Sequence, residues 1–200
     1  MPNGGADAHL RQKAVAVHAP GVEFEDFLAA GLRGIGLGAL RRLAAAPVGS
    51  VPRTVMELAI GTGQRIGDLL KMRWDHINGN GIAVRQGKTK TALWIPFTPR
   101  LREYLEQLRF RNLTIVAGPK GAPVTYHSAA ASIRALRAQI GALPFTIHGW
   151  RYTAASQLAA AGATDDEVQA ITGHKSRAMV MKYAGAQRQR VHATSGQAKR

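Results

Sequence analysis

The chain has 200 residues, 46% of them hydrophobic and 20% charged, which is apolar material for one full core and excludes disorder over most of the length. It contains no cysteine, so disulfide scaffolds, thiol nucleophiles, iron–sulfur clusters and cysteine-based zinc sites are excluded together. The net charge of +15 is uneven: residues 1–75 hold nine basic and seven acidic side chains, residues 76–200 hold eighteen and five, and no acid follows Glu167, a lopsided field that points to a polyanionic partner, most often nucleic acid.

Residues 1–20 read as a loose leader without the apolar stretch of a secretory signal. Residues 22–46 look helical, although Gly31, Gly34, Gly36 and Gly38 weaken the pattern. This most apolar early stretch is interrupted by Arg33, Arg41 and Arg42, and no run approaches the ~18 uninterrupted apolar residues of a membrane span. Pro47, Gly49 and Pro52 punctuate the chain, and the main domain is expected to begin near residue 49. Val55, Leu58 and Ala59 form a helical stripe, Gly61-Thr62-Gly63 breaks it, and Ile66, Leu69 and Leu70 start another. Two strand-like runs, 81–86 and 91–97, joined by Gly87-Lys88-Thr89-Lys90, read as a β-hairpin, with a third strand expected at about 74–77. Thr98-Pro99 opens a helix carrying Leu101, Leu105 and Leu108.

The second half is mostly helix. Ile133, Leu136 and Ile140 mark one amphipathic segment closed by Gly141, and another spans about 148–161 with Gly162 after its end. Thr164-Asp165-Asp166-Glu167 is a capping-box pattern opening a short helix that Gly173 closes. A last helix is expected over about 176–185, and the basic tail after it is expected to be mobile. The fold class is α+β, mainly α, with a small antiparallel sheet at one edge. The expected organisation is an N-terminal segment 1–48, a main domain 49–186 and a basic tail 187–200.

Gly61-Thr62-Gly63 follows a helical pattern and Gly67 falls one place too late for G-x-G-x-x-G, and no G-x-x-x-x-G-K-[ST] is present, so nucleotide-cofactor binding has little support. His148 and His174 lack further ligands at metal spacing. Four segments remain. In Thr146-Ile147-His148-Gly149-Trp150-Arg151-Tyr152-Thr153, His148 and Arg151 stand at i and i+3 and share a helix face. That pair is either an anion site, which an arginine fork suits, or an exposed polar face. In Ile171-Thr172-Gly173-His174, the histidine follows a helix-ending glycine, and Tyr183 comes nine residues later. Tyrosine there is ordinarily a half-buried anchor, but the nearby Arg177 and Lys182, with no acid close in sequence, favour the phenolate. Arg65 opens a helix after a glycine turn, where it either meets an anion or pairs with Asp68. Lys88, alone, reads as a solvated turn lysine.

Taken in order, TGQRIGDLLKMRW, the hairpin lysine, HGWRYT, ITGH and the later tyrosine resemble the catalytic domain of the tyrosine recombinase (phage integrase) family over roughly residues 50–186. The resemblance implies a DNA strand-transferring enzyme that breaks and rejoins DNA through a 3′-phosphotyrosine. It identifies Arg65 and Arg151 as the phosphate clamp, Lys88 as the acid for the departing 5′-oxygen, and His148 as the acceptor of the nucleophile's proton or a phosphate contact. It makes His174 a hydrogen-bond donor to the phosphate and Tyr183 the nucleophile. It implies double-stranded DNA as partner, a homo-oligomer (a tetramer on paired sites), no cofactor or metal, no membrane, and a cytoplasmic, nucleoid-associated setting. Two positions depart from the family pattern: Trp150 stands for a leucine, and Tyr152 for a frequent histidine, which puts a rival hydroxyl beside Arg151. Residues 1–48 do not read as a complete core-binding domain of the kind full-length members carry. The alternatives are a type IB topoisomerase-like transferase, a truncated DNA-binding remnant without cleavage activity, and a basic helical RNA binder.

Overall fold

Proline, serine and glycine set the bounds of the central helix. The computed structural model describes residues 37–108, 112–143 and 145–200, so the loose leader and the first part of the predicted 22–46 helix lie outside the described residues. Helix α1 (Leu37–Ala44) is the remainder of that stretch. Helix α2 (Val51–Thr62) starts with Pro52 in its first turn and stops at Gly63, whose left-handed backbone (φ +65°) lets its N–H cap the Ala59 carbonyl. Val55, Met56, Leu58 and Ala59 on α2 are all buried, together with Ala39, Leu40 and Leu43 of α1. The core therefore already includes residues upstream of 49. Glu57 is buried as well, at 2% exposure, and Arg53 and Arg100 both reach it at 2.8 Å. A buried carboxylate without those two partners would be costly.

A short helix α3 (Ile66–Leu69) follows, then a 3₁₀ turn over Trp74–His76 and three strands: β1 (Ile77–Asn78), β2 (Gly81–Arg85) and β3 (Ala92–Pro96). The sheet is antiparallel in the order β1-β2-β3. The third strand thus exists but lies later than 74–77, because that segment winds into the 3₁₀ turn first. Along β2 and β3, Ile82, Val84 and Ile95 face the core while Ala83 and Arg85 face out, the period-2 pattern of a half-covered sheet.

Helix α4 (Pro99–Glu106) opens on Thr98, whose hydroxyl accepts from the Leu101 N–H at 3.2 Å. Helix α5 (Tyr126–Gln139) is followed by Gly141 at φ +67°. Helix α6 (Ile147–Ala160) is capped by Thr146 and buried on almost every face. Trp150 faces the main core with α2, while Tyr152, Ala155 and Ala159 face a second apolar cluster. That cluster is completed by Val168 of α7 (Asp165–Thr172) and Val180 and Ala184 of α8 (Arg177–Gln197). The Thr164–Glu167 capping box at the start of α7 is present in both directions, and Gly173 closes the helix at φ +69°. The chain is thus mainly helical with a small antiparallel sheet, as its sequence pattern predicts.

One expectation is corrected. Helix α8 does not end near residue 185 in a mobile tail; it runs 21 residues to Gln197. Gln187 is buried, and Arg188 pairs with the Asp165 carboxylate and donates to the Ala163 carbonyl at 2.8 Å, which fastens the extra turns to the start of α7. Among the described residues no helix is long and apolar enough to cross a membrane.

Candidate active site

Arg65 is the N-cap residue of α3, in extended conformation immediately after the α2 stop. Its Nη1 is buried and has no protein partner. Arg151 rises from the first turns of α6, only 1% exposed. Its Nη1 donates to the Gly63 carbonyl at 2.5 Å and its Nε to His174 Nε2 at 3.3 Å, while Nη2 is buried without a partner. Burial, then the positive charge of Arg65, lowers the Arg151 pKa to about 10, which leaves it a cation at neutral pH.

Arg65, Lys88, His148 and Arg151 line one cleft of about 410 Å³, together with Gln64, Asp68, Lys71 and Tyr126. The i, i+3 spacing of His148 and Arg151 does put both on the face that looks into this cleft. Lys88 reaches it from the exposed β2–β3 turn, whose Gly87 N–H donates to the buried Asp68 carboxylate at 2.8 Å. Two buried guanidinium nitrogens without partners, a lysine and an imidazole around one hollow make an anion site with fork geometry.

His174 and Tyr183 lie behind this front row. His174 follows the left-handed Gly173, and its ring bridges two neighbours. Nε2 accepts from Arg151, so the ring proton sits on Nδ1, which donates to the Thr172 hydroxyl at 2.7 Å. Thr172 in turn donates to the Val168 carbonyl. Burial, helped by the charges of Arg151 and Arg65, holds His174 neutral with a pKa of about 3. In this arrangement Nε2 carries no proton to offer a phosphate.

Tyr183 is 6% exposed on α8. Its hydroxyl hydrogen-bonds His148 Nε2 at 2.8 Å, and its ring stacks on Tyr152 with centroids 3.9 Å apart. His174 lies on it too, at 4.5 Å between ring centres. Burial lowers the His148 pKa, with Arg151, Arg65, Lys182 and Lys88 acting the same way, so the ring is a free base able to take a proton. Tyr183 departs from the sequence expectation. Its pKa is raised, first by burial and then by Tyr152, against the opposing pull of Arg151 and Arg65. The resting phenol is neutral, and a base beside it has a proton to remove.

The fold therefore brings all six predicted residues together: four line the cleft, His174 bonds Arg151 and Tyr183 bonds His148. Sequence reading missed Gln64, Lys71 and Tyr126 on the cleft wall, and it missed Gln86, which bonds Gln64. Lys71 stands in the same TGQRIGDLLK segment as Arg65, the one signal that pointed to it. Tyr126 gave none, since nothing local distinguishes it from a surface residue at a helix start.

Residues 39–190 match the phage integrase family. The integrase of Escherichia phage HK022 is 33% identical over 153 residues, 70% of this chain and 43% of that protein. Among solved structures, a lambda integrase dimer bound to a COC′ core site is 28% identical with a TM-score of 0.63, covering 74% of this chain and 56% of that one. A lambda integrase tetramer bound to a Holliday junction is 27% identical with a TM-score of 0.60, covering 70% of this chain and 45% of that one. The chain spans less than half the length of the curated relative it matches.

Proposed function

The chain belongs to the phage integrase family, and from that premise we propose that it carries the catalytic unit of a site-specific DNA recombinase, one that works through a 3′-phosphotyrosine intermediate. The observation that supports this most is the junction of an anion cleft with a phenol: Tyr183 hydrogen-bonds the same His148 that lines the cleft with Arg65, Lys88 and Arg151.

Tyr183 Oη attacks the phosphorus of a phosphodiester and passes its proton to His148 Nε2. The P–O5′ bond breaks, and the leaving 5′-oxygen takes a proton from Lys88, giving a 3′-phosphotyrosine and a free 5′-hydroxyl. Arg65 Nη1 and Arg151 Nη2, buried guanidinium nitrogens without protein partners, bind the non-bridging oxygens where negative charge builds. His174 acts here through Arg151: by accepting from Nε it fixes the plane of the guanidinium. The resemblance gave His174 a donor role toward phosphate, which would require a proton on the nitrogen that now faces Arg151. Religation reverses the step with a 5′-hydroxyl from a second strand, and the phosphotyrosine conserves the bond energy for it.

The substrate is double-stranded DNA, and exchange between two sites calls for an assembly of four copies, as in the lambda integrase tetramer. The setting is the cytoplasm, at the nucleoid. Residues 49–186 form the catalytic unit, with α1 packed onto it, and the basic segment 187–200 adds positive charge at one end. The test is capture of a covalent adduct on a nicked duplex selected from a random-sequence pool by the wild-type chain. An adduct mapping to Tyr183 supports the reading. Binding to DNA with no adduct on any selected duplex would leave a DNA-binding protein without strand-transfer activity.

A further inference from the structure

Two buried glutamines stand at the cleft, Gln64 in its wall at 2% exposure and Gln86 bonded to it at 0%. Their amides bond each other once and otherwise reach four groups on three separate segments. Gln64 Nε2 donates to the carbonyls of Thr62 (3.0 Å) and Ile171 (2.8 Å), and its Oε1 accepts from Gln86 Nε2 at 2.6 Å. Gln86 Nε2 also donates to the Thr172 carbonyl at 2.9 Å, and its Oε1 accepts from the Thr89 hydroxyl at 2.5 Å. Each amide thus uses both donors and its acceptor, the condition under which a buried polar network is not a liability.

The segments it ties are those that carry the site. Gln64 precedes Arg65; Gln86 and Thr89 flank Lys88; Thr172 stands two residues before His174. Gly173 leaves no space for anything else, since a Cβ there would come within 2.5 Å of the Gln86 amide. The Gly87 N–H bond to Asp68 adds another restraint on the same turn. Two apolar side chains would fill this volume as well, so filling a hole does not explain the amides.

We propose that Gln64 and Gln86 are positioning residues, a clamp that holds the β2–β3 turn so that Lys88 stands over the phosphate cleft without either glutamine touching DNA. The proposal rests on the reading of Lys88 as the acid for the leaving 5′-oxygen. A lysine on an otherwise solvated turn loses many rotamers when it must meet one oxygen, and fixing the turn beneath it removes part of that cost.

The leaving group supplies the test. Replacing the bridging 5′-oxygen by sulfur yields a thiolate that departs without a proton, so a defect in acid catalysis disappears on the sulfur duplex whereas a defect in folding or phosphate binding persists. Adduct rates are compared on the nicked duplex selected as above, in oxygen and sulfur forms. Lys88→Ala should be slowed about 100-fold or more on oxygen and run near the wild-type rate on sulfur, the scale of a lost general acid. Gln86→Leu should be slowed about 10-fold or more on oxygen and recover on sulfur. Thr89→Val, which removes the bond to Gln86 and the one accepted from the Thr91 hydroxyl at the edge of the network and leaves the core untouched, should show the same pattern more weakly, with faster amide exchange over 86–91 and unchanged exchange over 51–62. Rescue of Lys88→Ala by sulfur with Gln86→Leu and Thr89→Val equally slow on both duplexes, or unchanged on both, would overturn the clamp. Failure of sulfur to rescue Lys88→Ala would instead overturn the acid assignment, and the clamp's role with it.

Discussion

Tyr183 and Tyr152 stack ring on ring, with centroids 3.9 Å apart, yet they differ in what their hydroxyls meet. The Tyr183 hydroxyl bonds His148, the free base of the cleft, whereas Tyr152 meets that imidazole through an edge-on ring contact. Tyr183→Phe should therefore abolish the covalent adduct while leaving thermal stability and non-covalent DNA binding nearly intact, because the ring and its stack remain. Tyr152→Phe should retain the adduct, since Tyr152 sits on the same rigid helix as His148 and Arg151 and cannot approach the phosphate from the opposite side. Peptide mapping of the adduct checks both. His174 carries a second prediction. Its pKa is about 3 in the fold against an ordinary 6.5, so between those values the unfolded chain binds a proton that the folded chain refuses. The stabilisation is complete above about 6.5 and declines as pH falls, by at most about 1.4 kcal/mol per pH unit. Melting temperatures should drop from pH 6.5 to 5, above the main carboxylate range, and His174→Gln should flatten that slope. His148, shifted the same way, contributes to both proteins and cancels in the comparison.

Helix α7 shows how an element carries a residue to its post. Its start is a capping box and its end a left-handed glycine, and His174 is the first residue past that end. Thr164→Ala should cost about 1 kcal/mol through the lost cap. Gly173→Ala should cost more, about 2 kcal/mol or above, since it adds both a disfavoured φ and a collision with the Gln86 amide. Chemical denaturation of the two variants gives the order. These signals were legible in the chain because they are local: a cap lies within four residues, a stop glycine within one, and the β2–β3 hairpin within sixteen. What was not legible acts at a distance. The continuation of α8 past Gly185 depends on Arg188 meeting Asp165, 23 positions away. The protonation of Tyr183 was misjudged because the sequence displays its basic neighbours and conceals its burial. The glutamine pair was invisible for the same reason, as its bonds span 22, 86 and 107 positions.

Charge belongs to the molecule as a whole. With a net charge of +15 and no acid after Glu167, binding to duplex DNA should be strongly salt-dependent. For about five phosphate contacts the slope of log K against log salt is about −4.5, a loss of several hundred-fold between about 50 and about 200 mM. A titration of a labelled duplex at several salt concentrations measures it, and a nearly flat response would contradict a phosphate-binding face. The arrangement of two apolar clusters on either side of α6 has a different reach. From Gly149 to Ser156 every residue of that helix is buried, with Trp150 committed to one cluster and Tyr152 to the other. A surface helix tolerates change on one side and resists it on the other, so its mutational record oscillates every three or four positions. This segment has no permissive side. In a saturation library selected for folded protein, tolerance across these eight positions should stay uniformly low with no helical rhythm. Drift in this family would then have to pass through the neighbouring helices first, loosening one cluster before α6 itself can vary.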